Sequence, residues 1–74
     1  MGRHPVLKPR EAIRILQALG FLEARQRGSH KQFRHIDERG TTVPDHGSRD
    51  LSSILLRQIA ADIGMTIDEF LQNR

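Results

Sequence analysis

Leu22-Glu23-Ala24-Arg25-Gln26-Arg27-Gly28-Ser29-His30-Lys31-Gln32-Phe33-Arg34 is the stretch whose reading decides the fold. Two strand-like runs flank a Gly-Ser pair. Such a pair favours a two-residue hairpin with glycine at the positive-φ position. The register follows: Arg27 faces His30, Gln26 faces Lys31, Arg25 faces Gln32, Ala24 faces Phe33 and Glu23 faces Arg34. Side chains alternate faces along a strand. Arg25, Arg27, His30, Gln32 and Arg34 therefore share one polar face. Leu22, Ala24 and Phe33 share the other, which is expected to lie on helices. A slip of one residue would put Phe33 in water, so burial favours this register.

The flanks extend the pattern. Pro9 suits the first turn of a helix and Glu11 its positive end. Ala12, Ile15, Leu16 and Leu19 recur at helical spacing, which predicts a helix over 9–19. Gly20 stops it in a left-handed conformation, and Phe21, at the C″ position, is placed to pack on Leu16. After the hairpin, Asp37-Glu38-Arg39-Gly40 reads as a second turn and Thr41-Thr42-Val43 as a short third strand. Pro44 ends that strand or confines it to an edge. Asp45 to Asp50 is a polar loop. Asp50 or Ser52 then caps a second helix, with Leu55, Leu56, Ile59 and Ile63 on one stripe up to Gly64. Thr66-Ile67-Asp68-Glu69 matches a capping box, which predicts a short last helix carrying Phe70 and Leu71. The order is helix, three antiparallel strands, helix, with a terminal helical turn. Both helices are expected on one face of the sheet, an α+β two-layer fold.

Length and charge bound the function. Seventy-four residues make a single domain, 1–74, with a modest core and little room for a deep cofactor pocket. Without cysteine there is neither a disulfide nor a thiolate zinc site, which fits a reducing cytoplasm. The start, Met1-Gly2-Arg3-His4-Pro5-Val6-Leu7-Lys8, lacks the long apolar region of a secretory signal. No run approaches the roughly 20 apolar residues of a membrane span. Residues 1–39 hold nine Lys/Arg against four Asp/Glu, a balance of +5, whereas residues 40–74 hold three against five, or −2. A basic half attracts a polyanion, and nucleic acid is the commonest one. An ordinary solvated surface has the same composition.

Chemistry concentrates at the hairpin. His30 sits at its tip among Arg25, Arg27, Lys31 and Arg34. A base titrating near neutrality among fixed cations suits work on a phosphodiester. Spacing alone leaves His30 readable as a surface turn histidine and each cation as solubilising charge. Arg34 has Glu23 opposite as a surface partner. Ser29 serves the turn; no third orienting group is evident that would make it a nucleophile. His46, in the loop after the third strand, has three readings: surface residue, second acid/base group, or metal ligand. Spacing does not say whether that loop reaches the His30 end of the sheet. His4, His35 and His46 with Asp45 show no recognised ligand spacing, so no metal site or other cofactor is expected. His35 is expected to face Leu22 at the rim of the inner face, in a structural role. Phe33 and Phe70 read as core. With three aromatics, all Phe, there is no base-stacking platform, which steers recognition towards backbone and shape.

Gly20-Phe21 after a helix, Arg25-x-Arg27-Gly28-Ser29-His30, Thr42-Val43-Pro44-x-His46, Leu56-Arg57-x-Ile59 and Glu69-Phe70-Leu71 together resemble the HicA-type toxins of bacterial toxin–antitoxin systems. The resemblance spans about residues 10–72. The Gly-Ser-His and Val-Pro-x-His elements, in this order, carry most of it. One departure is Ile54-Leu55, where family members often have Gly-Thr. The resemblance implies a fold like a double-stranded-RNA-binding domain, α-β-β-β-α, and a bacterial cytoplasmic setting. It implies cleavage of mRNA that blocks translation and growth, with His30 as the catalytic residue. It also implies a HicB-type antitoxin, encoded alongside, that covers the His30 face.

On that reading, neutral His30 takes the proton of a ribose 2′-hydroxyl, which attacks the adjacent phosphorus. Arg25, Arg27 and Lys31 stabilise charge on the phosphoryl oxygens. Ser29 and Arg34 complete the RNA-binding set, His46 is a secondary candidate, and activity is expected without added metal. Two rivals stand beside it. One is a module that holds double-stranded RNA by phosphate and 2′-hydroxyl contacts without cutting it. The other is a protein-interaction domain whose basic face docks an acidic partner.

Overall fold

The computed structural model describes residues 6–74. Its elements run α1 (Pro9–Ala18), β1 (Leu22–Arg27), β2 (His30–Arg34), β3 (Gly40–Pro44), α2 (Ser53–Asp62) and α3 (Ile67–Leu71). The strands form one antiparallel sheet in the order β1-β2-β3. This is the expected α+β architecture, with helices packed on the sheet.

Local chemistry sets the helix ends. Pro9 is the first residue of α1, where its missing N–H costs nothing. The Glu11 carboxylate accepts the Lys8 backbone N–H at 2.9 Å. Gly20, at φ +95°, reverses the chain after α1. Phe21 N–H donates to Leu16 O at 2.9 Å and Gly20 N–H to Gln17 O at 3.0 Å, the two bonds of a Schellman motif. Phe21 and Leu16 are both buried in the one core cluster. Ser52, rather than Asp50, caps α2, its side chain accepting Leu55 N–H at 3.2 Å. Ile54-Leu55 thus lies within the first turn of a normally capped helix. Thr66 and Glu69 form the expected capping box of α3.

The core alternates as the strands do. Phe33 of β2 and Thr41 and Val43 of β3 are buried, whereas Gln32, Arg34 and Thr42 between or beside them are exposed. Ala12, Ile15 and Leu16 of α1, Leu56, Ile59 and Ala60 of α2, and Phe70 of α3 join Phe33 and Val43 in the core cluster, with Leu7, Phe21, Leu51 and Ile63 from the connecting segments. Phe21, Phe33 and Phe70 are all essentially inaccessible to solvent. Burying each side chain contributes about 1.5–3 kcal/mol.

The hairpin register holds from the turn to Arg25 and then shifts. Arg27 faces His30, Gln26 faces Lys31 and Arg25 faces Gln32. Beyond that point Glu23 faces Phe33 and Leu22 faces Arg34, with Ala24 the extra residue of an irregularity. The expected Ala24–Phe33 and Glu23–Arg34 pairs are therefore absent. Leu22 and Ala24 do not cover the helices either: all six residues of β1 are exposed, Leu22 at 73%. The physical reason is where the helices sit. Both α1 and α2 pack on β3, at the other edge of the sheet, while β1 packs chiefly on β2. Phe21, before the strand begins, supplies the core anchor that Leu22 was expected to give. An edge strand with no buried side chain tolerates a bulge. His35 consequently lies past β2 and packs on Phe21, ring centroids 5.0 Å apart, instead of facing Leu22.

Candidate functional site

Strand parity builds the site. Gly28 has φ +58° and Ser29 does not share the positive sign, so glycine takes the positive-φ position of the two-residue turn. His30 begins β2 and stands opposite Arg27 on β1 and Pro44 on β3. Residues directly opposite one another share a face. Arg25, Arg27, His30, Gln32 and Arg34 consequently lie on the face away from the helices, and all are exposed. Among the described residues, Arg25, Arg27 and Arg34 have no carboxylate within ion-pair distance. Three cations there remain available to a ligand.

The loop after β3 closes onto this end of the sheet. Asp45 N–H donates to Ser29 O at 2.6 Å, continuing the β2–β3 pairing onto the turn. Two diagonal pairs result, one on each face. On the open face, the His30 and His46 rings meet edge to face with centroids 6.2 Å apart. His46 Nε2 also lies 3.5 Å from Ser29 Oγ, at the outer limit of hydrogen-bond contact. On the helix-side face, Lys31 Nζ pairs with Asp45 Oδ2 at 2.9 Å. The loop is tied further by Gly47 N–H donating to Asp45 Oδ1 at 3.1 Å.

The electrostatics follow from these contacts. The Lys31 ammonium, chiefly through its hydrogen bond, holds the Asp45 carboxyl below the usual carboxylate range, with help from Gly47 N–H. The same contact holds the Lys31 ammonium above its ordinary value. Lys31 is therefore on the opposite face from His30 and already partnered. Ser29 is half-buried, its carbonyl anchoring the loop and its hydroxyl beside His46.

The structure thus puts Arg25, Arg27, His30 and Arg34 on one sheet face, with His46 beside His30 and Ser29 in the turn next to them. His46 was unplaced by sequence, and Asp45 was not singled out as the residue that holds its loop. A signal for both existed in the register. With Gly40 opposite Arg34, counting along β3 brings Asp45 opposite Ser29. His4 lies outside the described residues. Among the described residues, no three His, Asp and Glu side chains are grouped to hold a metal ion. All three Phe are buried, so no large aromatic ring is presented for stacking.

Residues 9–65 match the family of HicA toxins of bacterial toxin–antitoxin systems. The chain belongs to the HicA toxin family. The matched span runs from the first residue of α1 to just past α2. It includes both histidines of the site and leaves out only α3 among the main elements. A comparison with curated proteins found no match. As a HicA-family chain it is the toxin of a toxin–antitoxin system and has an antitoxin partner. Among the described residues, no helix is long and apolar enough to cross a membrane.

Proposed function

We propose that this HicA-family toxin is an endoribonuclease that cleaves mRNA through His30, and that its antitoxin is of the HicB type and covers the His30 face. One observation carries the reading: an exposed imidazole stands on a sheet face with three unpaired guanidinium groups and a second imidazole beside it. Arg25, Arg27 and Arg34 hold the RNA backbone, and Arg27, directly opposite His30, stabilises charge on the phosphoryl oxygens. The basic surface, which presents no Phe, Tyr or Trp, suits recognition by phosphate and 2′-hydroxyl contacts, as in double-stranded-RNA-binding folds. Neutral His30 accepts the 2′-hydroxyl proton, the 2′-oxygen bonds to phosphorus and the bond to the 5′-oxygen breaks. The products carry 2′,3′-cyclic phosphate and 5′-hydroxyl ends. Lys31 acts one step removed, by holding the Asp45 loop. The setting is the bacterial cytoplasm, and no metal or other cofactor takes part.

Digestion of RNA by wild type and His30→Ala, in a chelator, with chemical analysis of the new ends, tests this. The expected result is cleavage by wild type, loss in the variant, and retained binding of RNA and antitoxin. Tight RNA binding by both proteins with cleavage by neither would turn the reading to a binding module. Weak RNA binding beside tight binding of one acidic protein would turn it to an interaction domain.

A further inference from the structure

We infer that His46 is the general acid of the cleavage reaction, so that His30 and His46 work as a pair across one phosphodiester; this rests on the nuclease reading above. The geometry is the ground. An in-line displacement at phosphorus has its attacking and leaving oxygens on opposite sides. One proton must leave the attacking 2′-hydroxyl and another must reach the departing 5′-oxygen. A ring nitrogen serves such an oxygen from about 2.6–3.2 Å. Two imidazoles with centroids 6.2 Å apart on one exposed face place a phosphodiester within reach of both.

The surroundings of the two rings differ. His30 stands in β2, with Arg27 as its cross-strand neighbour. His46 stands in the loop that the Asp45 carboxylate anchors. That carboxylate is itself engaged by Lys31, which fixes the loop and with it the ring. Ser29 Oγ, 3.5 Å from Nε2, is the other polar neighbour of His46. The step balances. The 2′-hydroxyl proton passes to His30, the 2′-oxygen–phosphorus bond forms, and the phosphorus–5′-oxygen bond breaks. The leaving oxygen takes the His46 proton. No oxidant, reductant or co-reactant is required.

A leaving group that needs no proton isolates this role. The cut position is first mapped with wild type. An RNA is then made with sulfur replacing the 5′-oxygen at that one linkage, since a thiolate departs unprotonated. On ordinary RNA, His46→Ala is expected to be slowed about 10²–10⁴-fold. On the thio-linked RNA it approaches the wild-type rate, while His30→Ala stays slow on both. His46→Gln repeats the measurement with a bulkier, hydrogen-bonding side chain, and thermal unfolding checks that both variants are folded. His46→Ala slowed equally on both substrates, or not slowed on ordinary RNA, overturns the acid role alone. Wild type that cuts neither RNA overturns the nuclease reading, and the acid assignment with it.

Discussion

His30 and His35 mark the two ends of β2, and the chain uses them in opposite ways. His30 opens the strand, exposed, with another imidazole and an arginine around it. His35 follows the strand, its side chain 21% exposed and tilted against Phe21. Its Nδ1 accepts Asp37 N–H at 3.1 Å, which leaves the neutral ring's proton on Nε2. Asp37 Oδ1 is also 3.1 Å from Nδ1, so protonation there would exchange the amide for the carboxylate. Arg39 lies over the other aromatic partner, 5.2 Å from the Phe21 centroid, and donates to Ile63 O at 2.7 Å. Its amide and guanidinium hold the Asp37 carboxyl below the usual carboxylate range. His35, Asp37 and Arg39 are all engaged there, and Arg39 ties the β2–β3 turn to the end of α2. The difference teaches that imidazole chemistry is assigned by surroundings. On the proposed reading, the same side chain is a reagent where its neighbours leave it free and a spacer where they enclose it.

The largest expected effect separates the two ends. His30→Ala should reduce RNA cleavage by about 10²–10⁴-fold, with stability changed by no more than about 0.5 kcal/mol. His35→Ala should leave cleavage within a few-fold of wild type. It should cost about 1 kcal/mol through loss of the contact with Phe21, a fall of about 4–8 °C in Tm. Cleavage assays paired with thermal unfolding check both. A His35→Ala variant that loses cleavage without losing stability would break the division.

Two glycines sharpen it. Gly20 and Gly28 both have positive φ, at +95° and +58°. A Cβ at Gly20 would meet His35 Nε2 at 3.0 Å, whereas one at Gly28 meets nothing within 4 Å. Gly28→Ala should cost only the left-handed backbone penalty, about 1 kcal/mol. Gly20→Ala should cost about 2 kcal/mol, because the ring it strikes is packed on Phe21 and cannot swing aside freely. Denaturant titration measures both. Equal losses would mean that His35 is not held as tightly as its contacts imply.

What was legible in the sequence follows the same line between enclosed and open. The end of α1 was readable because Gly20-Phe21 carries its own local chemistry, and the Gly28-Ser29 turn because glycine fixes its hand. The Thr66–Glu69 capping box was readable for the same reason, and the cap of α2 was narrowed to Asp50 or Ser52. The shift at Ala24 was not, because β1 buries no side chain and so nothing in its hydrophobic pattern pins the register. Lys31 was grouped with His30 by proximity along the chain, although alternation puts adjacent residues on opposite faces. The position of His46 depended on how Asp37-Glu38-Arg39 closes, which Arg39 settles through a contact with Ile63 far along the chain. Tertiary contacts of that kind leave no periodic trace.

Lys31 offers the finest test, because it touches the site only through Asp45. Asp45 has its carboxyl lowered by Lys31, so the pair's stabilisation is fully present above the ordinary carboxylate value, about 3.9. It is lost as pH falls through the lowered value. Lys31 is raised by the same contact, so its share persists below its ordinary value, about 10.4, and is lost as pH rises through the raised one. Between about pH 4 and 10 the pair is constant, and changes in cleavage rate between about pH 5 and 8 therefore come from other groups. Lys31→Met should leave the open face and its arginines in place while freeing the Asp45 loop. Cleavage should fall several-fold, less than for either histidine, with RNA affinity nearly unchanged. In thermal unfolding from pH 2.5 to 7, the advantage of wild type over Lys31→Met should shrink below about pH 4, as Asp45 becomes protonated. If instead RNA affinity falls as far as cleavage does, Lys31 reaches the nucleic acid itself, and the separation of the two sheet faces is wrong at this residue.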